Sequence, residues 1–271
     1  MIKKIAVFLL VVTVGALSAQ AQKRETRKTD NFTKVAFRIP GKLYLKQGSS
    51  NSVELSGDPE VLDRIETRVD GSKLVIGMED RWFNWNWKDQ DRITAYVTVK
   101  SLEGVSVSGS GDVVGEGRFN AENVALAVSG SGSLTIEMDA RKVEANVSGS
   151  GDINLSGRFA DLDSEISGSG KVILDAQVAG AVEVGISGSG RLQAKGLAQR
   201  LEAHISGSGK VYAADMEVDS CEAKISGSGD VEIAVKTSID ATISGSGTVA
   251  YRGNPGHINS HSSGSGKVRK L

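Results

Sequence analysis

Six carboxylates stand four residues before successive copies of a Ser-Gly-Ser-Gly element: Glu144, Asp163, Glu183, Glu202, Glu222 and Asp240. If those copies stack in register, the six form one outward column spaced by about 5 Å. Clustered carboxylates suit hard divalent cations. A solvated face, screened by salt and by the Lys171, Arg191 and Lys210 column, needs no metal. The sequence therefore assigns no metal and no cofactor, and leaves the six acids as the candidates. A second chemistry lies in Trp82-Phe83-Asn84-Trp85-Asn86-Trp87, which holds all three tryptophans. Exposed, Trp82, Phe83, Trp85 and Trp87 would offer platforms to sugar rings or protein partners. Buried, they would cover one end of the molecule.

Other reactive types lack the company they need. A nucleophilic serine requires an oriented base, and the three histidines, His204, His257 and His261, have no repeated acid partner. No catalytic residue is assigned. The Gly-x-Gly-x-Asp pieces are similar to those of calcium-binding β-rolls, but the β-roll repeat is about nine residues long. Here only Asp112, Asp152 and Asp230 follow the motif as acids. Cys221 is the sole cysteine, so no disulfide forms within the chain. It lies four residues before Ile225, as Leu201 lies four before Ile205, which places it inward as a packing residue.

The element that positions all of these is the repeat itself. Ser-Gly-Ser-Gly begins at Ser108, Ser129, Ser148, Ser167, Ser187, Ser206, Ser226, Ser244 and Ser263. Before each motif apolar residues alternate with polar ones, as in Val143, Ala145 and Val147; after it they alternate again, as in Ile153 and Leu155. Period two marks half-buried strands. A unit of about 19 residues buries little alone, so stacked units must share one core. The expected fold is all-β: a right-handed parallel β-helix, or β-solenoid, of ~19-residue coils. Nine such coils would span about 43 Å. Glycine turns each corner, and the serines stack into a ladder of small polar contacts. Ser260 and Ser262 replace apolar residues in the final copy, which suits an end that meets water.

Residues 1–21 read as a signal peptide: Lys3 and Lys4, an apolar run from Ile5 to Leu17, and Ala19-Gln20-Ala21 as the cleavage site. No transmembrane span is expected in the mature chain. Residues 22–30 read as a flexible tail. Residues 31–100 form a β-rich region, either a cap or degenerate first coils, and 101–271 the repeat. Strands are expected at Lys34–Ile39, Leu43–Lys46, Val53–Leu55, Lys73–Ile76 and Ile93–Val99. Asp58-Pro59 opens a helical turn, and Asp70-Gly71 marks a tight turn. The formal net charge of −1 gives no reason to expect nucleic acid as partner.

The opening strands from Phe32 to Gln47, the strand Leu74-Val75-Ile76, and Leu102-Glu103-Gly104-Val105-Ser106-Val107-Ser108-Gly109-Ser110-Gly111-Asp112-Val113 with its serial copies resemble a bacterial family. It is the putative auto-transporter adhesin, head GIN domain family, a domain of unknown function. The resemblance covers essentially the whole mature chain. It implies a β-helix-like fold, export in Gram-negative bacteria and an adhesin label, with no catalytic residues to carry over. The expected function is a secreted, non-catalytic cell-envelope solenoid, structural or adhesin-like, in the periplasm, on the outer membrane surface or outside the cell. Its partner would be a surface glycan or an envelope protein. The alternative is a carbohydrate-binding or carbohydrate-active protein, similar to the pectinase-like β-helix enzymes, working through Trp82–Trp87.

Overall fold

The computed structural model describes residues 23–78 and 92–271. The leader and the Trp82–Trp87 segment lie outside the described residues. In chain order the elements are β1 (Lys23–Arg27), β2 (Lys34–Phe37), β3 (Gly41–Gln47), β4 (Ser52–Gly57), the one-turn helix α1 (Pro59–Leu62), β5 (Ile65–Asp70) and β6 (Lys73–Met78). Then come β7 (Ile93–Val99), β8 (Gly104–Gly109), β9 (Asp112–Gly130), β10 (Ser133–Gly149), β11 (Asp152–Gly168), β12 (Lys171–Val178) and β13 (Ala181–Gly188). The last are β14 (Arg191–Gly207), β15 (Lys210–Gly227), β16 (Asp230–Gly245), β17 (Thr248–Arg252), β18 (His257–Gly264) and β19 (Lys267–Lys270).

From β8 onward every pairing is parallel and joins each copy to the next. The protein is a parallel β-solenoid of about 9 turns. Each tier has a first side before the motif, a second side after it, and a short return to the next tier. Identical apolar positions superpose, so Val107, Val128, Val147, Ile166, Ile186, Ile205, Ile225 and Ile243 make one inward column, each 2 % exposed or less. Full burial of such a side chain contributes about 1.5–3 kcal/mol, so the columns hold the tiers together. Cys221 stacks between Leu201 and Ile239 and is buried, as the repeat position requires. Burial, with the Glu222 charge adding to it, pushes its thiol pKa up to about 12. The thiol packs as an apolar group.

The corner is held by backbone. Ser150 N–H donates to the Gly130 carbonyl at 2.9 Å, and Ser169 N–H to Gly149 at 2.9 Å. Among the described residues no hydroxyl of a motif serine has a protein partner. The serines stack in register, as expected, but the ladder of side-chain contacts does not form. A short hydroxyl on a convex corner points away from its neighbour and is solvated instead.

The N-terminal region contains both parallel tiers and antiparallel strands. β2 runs parallel between β6 and β8, and β3 parallel between β7 and β9. The tier that comes first in sequence is therefore second in space. Beyond β6 and β7 the sheet turns antiparallel: β5 pairs with β6, β4 with β7, and β1 with β4. α1 closes this end with Val61 and Leu62 buried, and the Asp58 carboxylate accepts from Glu60 N–H at 2.9 Å as its cap. Among the described residues one 19-stranded sheet runs through both regions. Residues 23–27 are not a free tail. β4 would otherwise be an edge with unpaired N–H and C=O groups, and β1 completes it. Arg24 pairs with Glu54 at 3.0 Å, and Arg27 donates to the Leu62 carbonyl at 2.8 Å.

Candidate ligand-binding side

The first side carries the sequence-predicted acids. Pairing places Glu144 on Asp163, Asp163 on Glu183, Glu183 on Glu202, Glu202 on Glu222 and Glu222 on Asp240. All six point outward in one column. Part of their charge is met on the same side. Glu144 pairs with Lys142 at 3.4 Å, Arg200 with Glu202 and with Glu222 (3.3 Å to the latter), and Lys224 with Glu222 at 2.7 Å. The Lys224 hydrogen bond holds the Glu222 carboxyl below the usual carboxylate range, against some desolvation. Asp240 accepts from Asn259 Nδ2 at 2.7 Å. Lys171 and Lys210, expected to balance this column, stand on the second side. There they pair with Asp152 at 3.6 Å and Asp230 at 3.1 Å, because the motif corner turns them away from the acids.

The carboxylates of Asp163 and Glu183 in mid-column, and of Glu165 in the next column, have no hydrogen bond or ion pair among the described residues. They surround a small recess of about 130 Å³ over Gly185, with Glu202 and His204 on its rim. Gly185 matters here, since a β-carbon would stand 2.3 Å from a Glu165 carboxylate oxygen. Among the described residues no three His, Cys, Asp or Glu groups converge closely enough to hold a metal ion. Strand spacing keeps stacked carboxylates apart rather than pointing them at a common centre.

A larger recess, of about 420 Å³, opens at the other end of the same side. Its lining includes Lys34, Glu103, Glu122, Asn123, Lys142 and Glu144, over a floor of Val124 and Ala125. The acidic column stops here: below Glu144 the register positions are Ala125, Gly104 and Lys34. Sequence reasoning tracked the acids and passed over the two tiers that lack them. The absence of a carboxylate before Ser108 and Ser129 was the available signal. His204 lies in the next column, between Gly185 and Lys224, and His257 and His261 stand on β18. No hydrogen bond joins any of the three to a motif serine among the described residues.

Comparison with known proteins fits the tiers and the corners. The family model described as putative auto-transporter adhesin, head GIN domain, matches residues 31–194 and again 161–255. The chain belongs to this family. The overlapping second match is what a repeat in register produces, because either set of tiers satisfies the same pattern. No curated protein matches. Among solved structures, a "putative lipid binding protein" of Parabacteroides distasonis ATCC 8503 has a TM-score of 0.70 at 21% identity, over 93% of this chain and 98% of its own. A "putative adhesin" of Parabacteroides merdae ATCC 43184 has a TM-score of 0.71 at 18% identity, over 93% and 97%. A second Parabacteroides distasonis protein, also a "putative adhesin", has 0.67 at 18%, over 92% and 97%. At these identities the likeness shows a shared fold alone.

Proposed function

We propose that the chain is an exported, non-catalytic, adhesin-like solenoid of the cell envelope that meets a surface glycan or an envelope protein along its outer sides. The observation that carries this reading is the unbroken register from Ile76 through Phe37 and Val107 to Ile243. It makes a stiff body whose outward columns repeat at strand spacing, a form matched to an extended partner. Membership in a family with an adhesin label supports it. The leader read from Lys3 to Ala21 supports export. The tryptophan segment joins β6 to β7, whose flanking residues Ile76 and Ile93 stack on Phe37 and Gly41 around the first corners. Trp82, Phe83, Trp85 and Trp87 are proposed as contact residues.

Purified mature protein is to be applied to a glycan array and to whole bacterial cells, beside the Trp85→Ala/Trp87→Ala variant. Saturable binding that the variant loses, with its melting temperature kept, is the expected result. Release of cleaved saccharide from any bound polysaccharide would overturn the non-catalytic reading. Equal binding by the variant would remove the tryptophan segment from the contact.

A further inference from the structure

We propose that the recess between Lys34 and Glu144 is a subsite for one neutral, hydroxyl-rich sugar unit of a glycan chain. This deepens the adhesive reading and rests on the partner being a glycan. The recess exists because two consecutive tiers omit an outward side chain. The column runs Lys34, Gly104, Ala125, Glu144, and from Glu144 onward six tiers in succession carry a carboxylate. In the neighbouring column the same two tiers carry only Ser106 and Ala127. The floor therefore drops by the length of a glutamate side chain over a width of two strands, about 10 Å. Its volume of about 420 Å³ falls within the roughly 300–1,000 Å³ of small-molecule sites. Gly104 also shapes it: a β-carbon there would stand 3.1 Å from the Ala125 carbonyl and 3.6 Å from Lys34 Cγ. Without one, the Lys34 stem lies close over the backbone.

The rim offers donors and acceptors in alternation, and much of its capacity is unused. Glu103 accepts one bond, from the Thr33 hydroxyl at 2.9 Å. Asn123 Oδ1 accepts from Arg141 at 2.6 Å, and among the described residues its Nδ2 has no acceptor. Glu122 meets Arg141 only at 3.8 Å, and Lys142 meets Glu144 at 3.4 Å. Lys34 is half-buried, and its ammonium has no hydrogen bond or ion pair among the described residues. An ammonium left this way retains three donors. A ligand of one charge would meet like charge somewhere on this rim, which carries Glu103, Glu122 and Glu144 against Lys34 and Lys142. A neutral sugar would not, since its hydroxyls donate to carboxylates and accept from ammonium and amide groups.

The repeat supplies its own test. Ala125→Gln places in the recess a side chain the size of the glutamate that the next tier carries at the same column position, so the solenoid accommodates it without added charge. The mature protein is titrated by ligand-observed saturation-transfer NMR with the methyl glycosides of glucose, galactose, mannose and N-acetylglucosamine. Sialyllactose serves as the anionic comparison. At least one neutral glycoside should bind, sialyllactose should bind less, and Ala125→Gln should weaken the neutral ligand tenfold or more with an unchanged melting temperature. Lys34→Met should weaken it severalfold. Binding unaffected by Ala125→Gln, a preference for sialyllactose, or no response to any of the four glycosides overturns the inference. If array binding depends on Trp85 and Trp87 and is indifferent to Ala125→Gln, the adhesive reading survives and this subsite does not.

Discussion

Gly149 sits at φ +112°, and a β-carbon there would stand 2.7 Å from the Gly130 carbonyl oxygen one tier below. That oxygen is the acceptor for Ser150 N–H, so the clash and the corner hydrogen bond compete for one place. Backbone strain of this kind costs of order 1–3 kcal/mol, and Gly149→Ala is expected to lose roughly that in urea unfolding. Ser148→Ala, one residue away, is expected to stay within about 0.5 kcal/mol of wild type, because its hydroxyl has no protein partner. Ser164 presents the reverse case. It is fully buried in the inward column between Ala145 and Val184, and its hydroxyl has no hydrogen-bond partner among the described residues. An unsatisfied buried group costs about 1–3 kcal/mol, so Ser164→Ala should raise the melting temperature. The Cys221 thiol, raised to about 12 by burial, has a definite sign. The stability it contributes is complete below the unfolded thiol's ordinary pKa of about 8.5. It is lost as pH rises from there through 12. At pH 8 a thiol reagent should label the unfolded chain and leave the native one untouched.

Adjacent strands carry complementary charges in register. Arg118 of β9 meets Glu137 and, at 3.5 Å, Asp139 of β10, while Arg158 of β11 closes on Asp139 from the other side. The Arg158 hydrogen bond holds the Asp139 carboxyl below its ordinary range, as Lys224 does for Glu222. Exposed pairs of this kind contribute little each, and salt screens them. A depressed carboxylate stabilises the fold above its unfolded pKa, and that stability is lost as pH falls through the folded value. The melting temperature should therefore hold between pH 6 and 8 and fall below about pH 4. The Asp139→Asn/Glu222→Gln variant should show a smaller fall. Equal falls in both proteins would remove these pairs as its cause. At this scale the sequence was legible where side chains alternate against a core, as in β10, β11 and β14. It was not legible for β1, whose Lys-Arg-Glu-Thr-Arg reads as solvent-exposed tail. Nor was it for β5, Ile65–Asp70, which is not among the strands expected from the sequence. Both pair antiparallel at the outer end of the sheet, through backbone groups that every residue shares.

The solenoid as a whole depends on one register being kept. Each tier contacts only its neighbours, so a whole tier is removable and half of one is not. Deleting residues 142–160, one complete copy, joins Arg141 to Asp161 and brings Leu162 onto Val124 in the inward column. Such a protein should keep a β-type circular dichroism spectrum and a single cooperative melt at lower temperature. Deleting 142–150 instead, an odd number of residues, puts Asp152 where Val143 stood and turns Ile153 and Leu155 outward. It should fail to fold. Two equally folded deletions would contradict a core built from stacked columns.

The sequence by itself determined the repeat length, the inward columns, the glycine corners and the place of Cys221. Each of these is written in local periodicity, and a chain with that periodicity has one economical way to bury it. The tertiary structure decided the rest. It put the β2–β3 tier between the β6–β7 tier and the β8–β9 tier, and it closed that end with antiparallel strands. It left the corner hydroxyls solvated and moved Lys171 and Lys210 off the acidic side. It also turned Val124 and Ala125 into the floor of a recess. These outcomes depend on which distant strands become neighbours, and strand neighbours join through backbone hydrogen bonds that carry no side-chain code. A missing side chain is invisible in the sequence until register sets longer ones around it.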